Sequence, residues 1–245
     1  MRTAVVTGAT GGIGSAIAER LATDGFAVVV GFHSAKDKAD AIVERLVGDG
    51  HRAMRIAVDE PSSLADAATA LGVGGDGVDV LVNCAGVTEP VAHDDLDGLT
   101  DELIDRIFTT NWRGPFSCVR ALRPLLERAE APVVVNVSSV AAVTGQGSNV
   151  AYCASKAALD SMTRSLGRAL APHIRMVSVS PGWVLGEYAE RMPPEALEVQ
   201  TSATPLGRLA TPIDVAAAVV AAVDHLPFTT GAVISVDGGR PLGVA

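Results

Sequence analysis

Tyr152 and Lys156 stand four residues apart in Tyr152-Cys153-Ala154-Ser155-Lys156, at the start of a small-residue run that reaches Ala171. If that run is helical, the offset stacks a phenol and an ammonium on one face. A phenol titrates at about pH 10 and is a poor acid–base group at neutral pH. An ammonium beside it favours the phenolate and brings it towards the working range. Ser139 lies thirteen residues before Tyr152, just past the apolar run Pro132–Val137. At the carboxyl end of a strand in an open α/β sheet, such a hydroxyl could bond a carbonyl oxygen. The pair could also be plain helix surface, and the spacing alone leaves both readings open.

A second cluster precedes it. The apolar run Thr3–Val6 leads straight into Thr7-Gly8-Ala9-Thr10-Gly11-Gly12-Ile13-Gly14, with glycines in the spacing G-x-x-x-G-x-G through Gly8, Gly12 and Gly14. Ile13, Ile17, Ala18 and Leu21 then form a helical stripe that Asp24-Gly25 closes. Glycines there let the backbone turn tightly and set N–H groups and the positive end of a helix against a pyrophosphate. A bare tight turn is the alternative; the position at the first strand-to-helix junction favours a nucleotide site.

Both clusters need a frame. Apolar, β-branched runs recur at Thr3–Val6, Ala27–Val30, Arg52–Val58, Asp79–Val82, Pro132–Val137, Arg175–Ser180 and Ala232–Val236. Runs this continuous belong to strands covered on both faces. Helical spacing fills the gaps, as in 35–46 and 62–71. The alternation predicts an α/β fold: a single doubly wound (Rossmann) domain over residues 1–245, with a seven-stranded parallel sheet and helices on both faces. An eight-stranded α/β barrel would need one more strand than the sequence offers.

Composition narrows the partners. The chain carries 19 Lys and Arg against 28 Asp and Glu, a net charge of −9, which disfavours a nucleic-acid partner. The longest apolar run, Val215–Val223, is too short for a membrane span. No charged-then-apolar leader opens the sequence, so a cytoplasmic location is expected. Three scattered cysteines make no disulfide framework, and five histidines without an i,i+4 pair predict no metal site.

These motifs together resemble the short-chain dehydrogenases/reductases of about 250 residues. The resemblance runs end to end: Thr7–Gly14, Asp59, Asn83-Cys84-Ala85-Gly86, Asn111, Asn136-Val137-Ser138-Ser139, Tyr152–Lys156, Ser180-Pro181-Gly182, and Thr230-Gly231 leading to Val236-Asp237-Gly238-Gly239. Nearest in pattern are the 3-oxoacyl-carrier-protein reductases, which share Pro205-Leu206-Gly207-Arg208 and the Val236–Gly239 ending. The resemblance implies hydride transfer between a nicotinamide cofactor and a carbonyl or secondary alcohol. Tyr152 would donate and accept the proton, and Lys156 would assist it and bind the nicotinamide ribose. Ser139, preferred over Ser138, would polarise the substrate oxygen, and Asn111 would hold a relay water. Cofactor contacts would come from Gly8, Thr10, Gly12, Ile13, Gly14, His33, Ser34, Asp59, Asn83, Ala85, Gly86, Tyr152, Lys156, Pro181, Gly182 and Val184.

Two positions depart from the family. Gly186 stands where a threonine or serine usually bonds the nicotinamide carboxamide, and Val177 where many members have asparagine. Phe32 falls where members preferring NAD carry aspartate, and no acid follows before Asp37. With Ser34 and Lys36 able to meet a 2′-phosphate and His33 to assist, NADP(H) is favoured and NAD(H) possible. Lys36 could instead serve only the start of its helix. Val184–Pro205, with Glu187, Tyr188, Arg191, Met192 and Pro193-Pro194, matches the family's substrate lid. The small face Ala154, Ala157, Ala158, Ser161 and Ser165 suits the helix that builds a homotetramer in the family. The substrate class expected is a small carbonyl or alcohol. Two alternatives remain open, a 3-oxoacyl-carrier-protein reductase proper and a non-catalytic nucleotide sensor.

Overall fold

The computed structural model describes residues 1–245 except 74, 76, 187, 188, 190–192 and 243–245. Each apolar run becomes a strand: β1 Thr3–Thr7, β2 Ala27–Phe32, β3 Arg52–Arg55, β4 Val80–Asn83, β5 Val133–Val137, β6 Arg175–Pro181 and β7 Val233–Val236. They form one seven-stranded sheet in the order β3-β2-β1-β4-β5-β6-β7, parallel throughout. The expected doubly wound architecture is present. Strand order reverses between β1 and β4, and the crevice over that switch is where such sheets bind ligands.

Period-two alternation divides the strands between two cores. Val6, Val28 and Val30 face the first, with Ile17 and Leu21 of α1 (Gly12–Thr23) and Val215 and Val219 of α9 (Pro212–Val220). Val5, Val29 and Leu81 face the second, with Leu64 of α3 (Pro61–Gly72) and Leu122 of α5 (Gly114–Leu126). The sequence extended β3 to Val58, but it ends at Arg55, because it lies at the sheet edge and its one neighbour, β2, stops at Phe32. Ile56, Ala57 and Val58 are buried all the same.

The remaining helices are α2 Lys36–Arg45, α4 Asp101–Phe108, α6 Ala141–Thr144, α7 Val150–Ala169 and α8 Pro194–Ser202. Asn111 was expected in a helix, and it sits in a π-helical turn, Thr109–Arg113, that joins α4 to α5. Wide turns of this kind concentrate at functional positions. α7 starts at Asn149, whose side chain caps it by accepting from the Tyr152 N–H at 2.7 Å. α1 starts at Gly11 with no side-chain cap, which leaves its first N–H groups for something else.

Candidate active site

Beneath the site runs a row of polar side chains at matching register. Thr7 of β1 pairs with Asn83 of β4, Asn83 with Asn136 of β5, and Asn136 with Ser178 of β6. All four are buried. Asn83 Nδ2 donates to Asn136 Oδ1 at 2.8 Å, and Asn136 Nδ2 donates to Thr163 Oγ1 of α7 at 2.8 Å. Thr163 and Ser178 hydroxyls meet at 2.8 Å. Thr7 Oγ1 accepts from the Cys84 and Ala85 N–H groups, turning the chain after β4 towards the crevice. Unmade bonds in such a place cost about 1–3 kcal/mol each, so the row locks α7 to the sheet.

α7 carries the two residues that the sequence singled out, Tyr152 and Lys156. Tyr152 and Lys156 both line a cavity of about 1290 Å³ over the strand ends. Lys156 Nζ lies 5.8 Å from the Tyr152 ring centroid and donates to the Val137 carbonyl at 2.8 Å. Burial brings the Lys156 ammonium down to about 8, against the opposing pull of Cys84 and Asp160. A lysine so placed exchanges its proton close to neutral pH. Asp160 lies one turn further along α7, buried, and burial pushes its carboxyl up against the opposing influence of the nearby Ser138 and Ser178 hydroxyls and of Arg164 and Lys156. The thiol of Cys84, pushed up to about 11 by burial, stays neutral and is no nucleophile.

The two serines after β5 separate by role. Ser138 is buried, and its Oγ donates to the Lys156 carbonyl at 3.4 Å. Ser139 lines the cavity and is only half-buried. Its Oγ accepts from the Ala141 N–H at 3.2 Å, which leaves its proton to donate. Asn111 is fully buried behind this wall. Its Oδ1 accepts from Val87 N–H at 2.8 Å, and its Nδ2 donates to Val87 O at 3.0 Å and Ser155 Oγ at 3.2 Å. The side-chain amide therefore ties the segment after β4 to α7, with one donor spent on each.

The other end of the cavity fits a dinucleotide. Gly8 takes φ +63°, and a Cβ there would lie 2.7 Å from Ala85 Cα, while one on Gly14 would lie 2.4 Å from Gly8 O. A Cβ on Gly12 would meet nothing within 4 Å. The loop is thus packed tightly behind and open in front, over the uncapped start of α1, as a pyrophosphate cradle requires. Gly8, Thr10, Gly12, Ile13, Gly14, His33, Asp59, Ala85, Gly86, Pro181, Gly182 and Val184 line the cavity, as expected of cofactor contacts. Asn83 sits below the cavity wall in the buried row, and Ser34 is exposed off the lining.

Around the second strand, Phe32 is buried on the same face as Val28 and Val30, in the first core, and lies off the cavity lining. The next residue, His33, faces the cavity, with its Nε2 3.6 Å from Asp59 Oδ1 and 3.8 Å from Glu60 Oε1. Glu60 is held in turn by Arg55 at 2.6 Å. Lys36 turns along its own helix to Asp40 at 2.5 Å, the helix-start reading of that residue. Sequence spacing could not show the His33–Asp59–Glu60 group, because β2 and β3 bring it together. Gln200 and Arg240 were also missed: both line the cavity, brought there from distant stretches of chain. Of the expected lid, Glu187, Tyr188, Arg191 and Met192 lie outside the described residues, and α8 forms the rest.

Known proteins agree with this geometry. A family model described as enoyl-(acyl carrier protein) reductase matches residues 8–240. The 3-oxoacyl-[acyl-carrier-protein] reductase of Staphylococcus aureus is 31% identical over 97% of each chain. A cis-4-hydroxycyclohexanecarboxylate dehydrogenase of Sinomonas cyclohexanicum is 34% identical over 97% of this chain and 96% of its own. The crystal structure of a short-chain dehydrogenase/reductase from Burkholderia xenovorans superposes with a TM-score of 0.92 at 33% identity, over 99% of both chains. With an open glycine cradle at one end of the cavity and a buried lysine beside a tyrosine at the other, the chain belongs to the short-chain dehydrogenase/reductase family and is an NAD(P)-dependent oxidoreductase.

Proposed function

We propose that the protein moves a hydride between NADP(H) and a carbonyl or secondary-alcohol carbon, with Tyr152 as the proton donor and acceptor. The observation that carries this reading is Lys156, buried and brought down to about 8, beside the Tyr152 ring in the cavity that the glycine loop enters. The bound nicotinamide supplies the hydride in reduction and accepts it in oxidation. Gly8, Thr10, Gly12, Ile13 and Gly14 hold the pyrophosphate, and His33, Ser34 and Asp59 the adenosine end. Ala85, Gly86, Pro181, Gly182 and Val184 flank the nicotinamide end, where Lys156 bonds the ribose, and Asn83 supports them from below.

In reduction Tyr152 gives its hydroxyl proton to the substrate oxygen while the Ser139 hydroxyl donates to the same atom, and both steady the charge that develops there. Lys156 favours the phenolate left behind and passes a proton back to it. Asn111 fixes Val87 and Ser155 through its amide, so a relay water would meet its main-chain carbonyl. With Gly186 in place of a hydroxyl residue, the carboxamide would be held by backbone.

NADP(H) is favoured over NAD(H), which stays usable. Support comes from His33 on the cavity rim and from the lack of a carboxylate at the end of β2; Lys36, paired with Asp40, does not add to it. The substrate is a small carbonyl or alcohol. The 3-oxoacyl-[acyl-carrier-protein] reductase and the cis-4-hydroxycyclohexanecarboxylate dehydrogenase among its relatives support an oxo or hydroxyl substrate. α8 acts as part of a lid over the cavity, with Gln200 and the following Ala203 on the cavity wall. The exposed or half-exposed small residues of α7 and the stacked Trp112 and Phe116, with centroids 6.1 Å apart, suit a homotetramer interface. A cytoplasmic location is consistent with this reading. Among the described residues no helix is long and apolar enough to cross a membrane.

Purified protein assayed with NADPH and NADH against ketones, β-ketoesters and carrier-linked 3-oxoacyl thioesters tests the reading. Carbonyl-dependent oxidation of NADPH is the expected result, with the small ketones turned over. Activity confined to the carrier-linked thioesters would replace the small-substrate reading with that of a 3-oxoacyl-carrier-protein reductase proper. No oxidation with any of them would contradict both.

A further inference from the structure

The chain ends, within the described residues, in a short 3₁₀ turn, Arg240–Leu242. Arg240 is half-buried there and lines the cavity, as do Gln200 of α8 and Ala203 just after it. Its Nη1 donates to the Gln200 carbonyl at 3.0 Å and its Nη2 to Gln200 Oε1. Both acceptors are neutral. A guanidinium offers five N–H donors, so the fork keeps donors for a further ligand.

Several arginines elsewhere are matched to acids: Arg2 with Asp224, Arg45 with Glu19, Arg55 with Glu60, Arg208 with Asp214. Arg106, which also lines the cavity, is held by Glu89. Arg175 is satisfied differently, by main-chain carbonyls of residues 222, 223, 226 and 229. Arg240 has neither an acid nor such a cage among the described residues. Burial pulls its guanidinium below the ordinary value, the mark of a cation that has lost water without gaining a counter-charge. Among the described residues the one acid on the cavity wall is Asp59, beside His33 at the adenosine end. Among the described residues, the α8 end of the cavity wall therefore carries a partly desolvated cation and no acid.

We infer that the substrate carries a carboxylate, and that the Arg240 fork receives it while the reacting oxygen lies at Tyr152 and Ser139. Planar bidentate pairing is what an arginine offers a carboxylate and a lysine does not. Because Arg240 also bonds Gln200, the anion would be bound next to α8 and would help to hold that helix over the cavity. The inference deepens the hydride-transfer reading and rests on it for the role of Tyr152. A brace between α8 and the C-terminal turn is the rival role, and it would not sense the charge of a ligand.

Cyclohexanecarboxylate and cyclohexanecarboxamide share a shape and differ in charge. Titrated calorimetrically into the protein saturated with NADP⁺, the acid is expected to bind at least about tenfold tighter than the amide, as a charge-assisted pair would give. Arg240→Met should erase that difference and Arg240→Lys should keep part of it. Gln200→Ala, which removes the side-chain acceptor and leaves the guanidinium, should preserve it. Equal affinity for acid and amide, binding of neither, or an acid preference that survives Arg240→Met would overturn the inference. The wild-type contrast needs no variant to fold. The readout also needs no turnover: an acid site that depends on Arg240 in a protein inert towards every carbonyl would sink the hydride reading alone.

Discussion

The two ends of the cavity are built differently. Under Tyr152 and Lys156 lies a buried row in which Asn83, Asn136, Thr163 and Ser178 bond side chain to side chain across three strands and a helix, while Thr7 on β1 bonds the backbone after β4. Around the adenosine end the contacts are surface ion pairs: His33 with Asp59, Arg55 with Glu60, Lys36 with Asp40. Buried polar rows are rigid and costly to alter, because each loss orphans a partner in a low dielectric. Exposed pairs are screened and contribute little to stability. The end proposed for proton transfer is thus fixed by the fold, and the end proposed to choose the cofactor can change without disturbing it.

Asn136→Leu tests the first half of that contrast and carries the larger effect. It removes the acceptor of Asn83 and the donor to Thr163 together, so about 2–4 kcal/mol of unfolding free energy should be lost in urea melts. Lys36→Ala, at the exposed pair, should leave the midpoint in place. Similar shifts for the two variants would break the contrast. His33→Asp tests the second half. A carboxylate on the cavity rim beside Asp59 should repel a 2′-phosphate and lower the NADPH-to-NADH ratio of kcat/KM roughly tenfold. An unchanged ratio would mean that His33 does not face the ribose, and a wild-type preference for NADH would remove the premise.

What was legible in the sequence follows the same division. Tyr152 and Lys156, the glycine loop and the strand-helix alternation are local patterns, and local spacing shows them. The buried row is a product of register: Asn83 and Asn136 are 53 residues apart in sequence and become neighbours only when β4 pairs with β5. Asn83 was expected at the cofactor and lies below it for that reason. Phe32, matched by resemblance to an aspartate position, shares the core face of Val28 and Val30, as period-two alternation along β2 implies. Asn111 was identified by resemblance, while the π turn that sets it against Val87 has no signature in residue types. Arg240 gave no local signal at all, since what matters there is a neighbour, Gln200, 40 residues away.

The central claim is that Tyr152 moves the proton while other residues hold the cofactor. Tyr152→Phe removes the transferable proton and keeps the ring beside Lys156. Turnover of a ketone with NADPH and the dissociation constant of NADPH, measured on the same preparation of this variant, test that claim directly. A loss of at least about a hundredfold in kcat with cofactor affinity within about threefold of wild type is predicted. Retention of most of the turnover would contradict it.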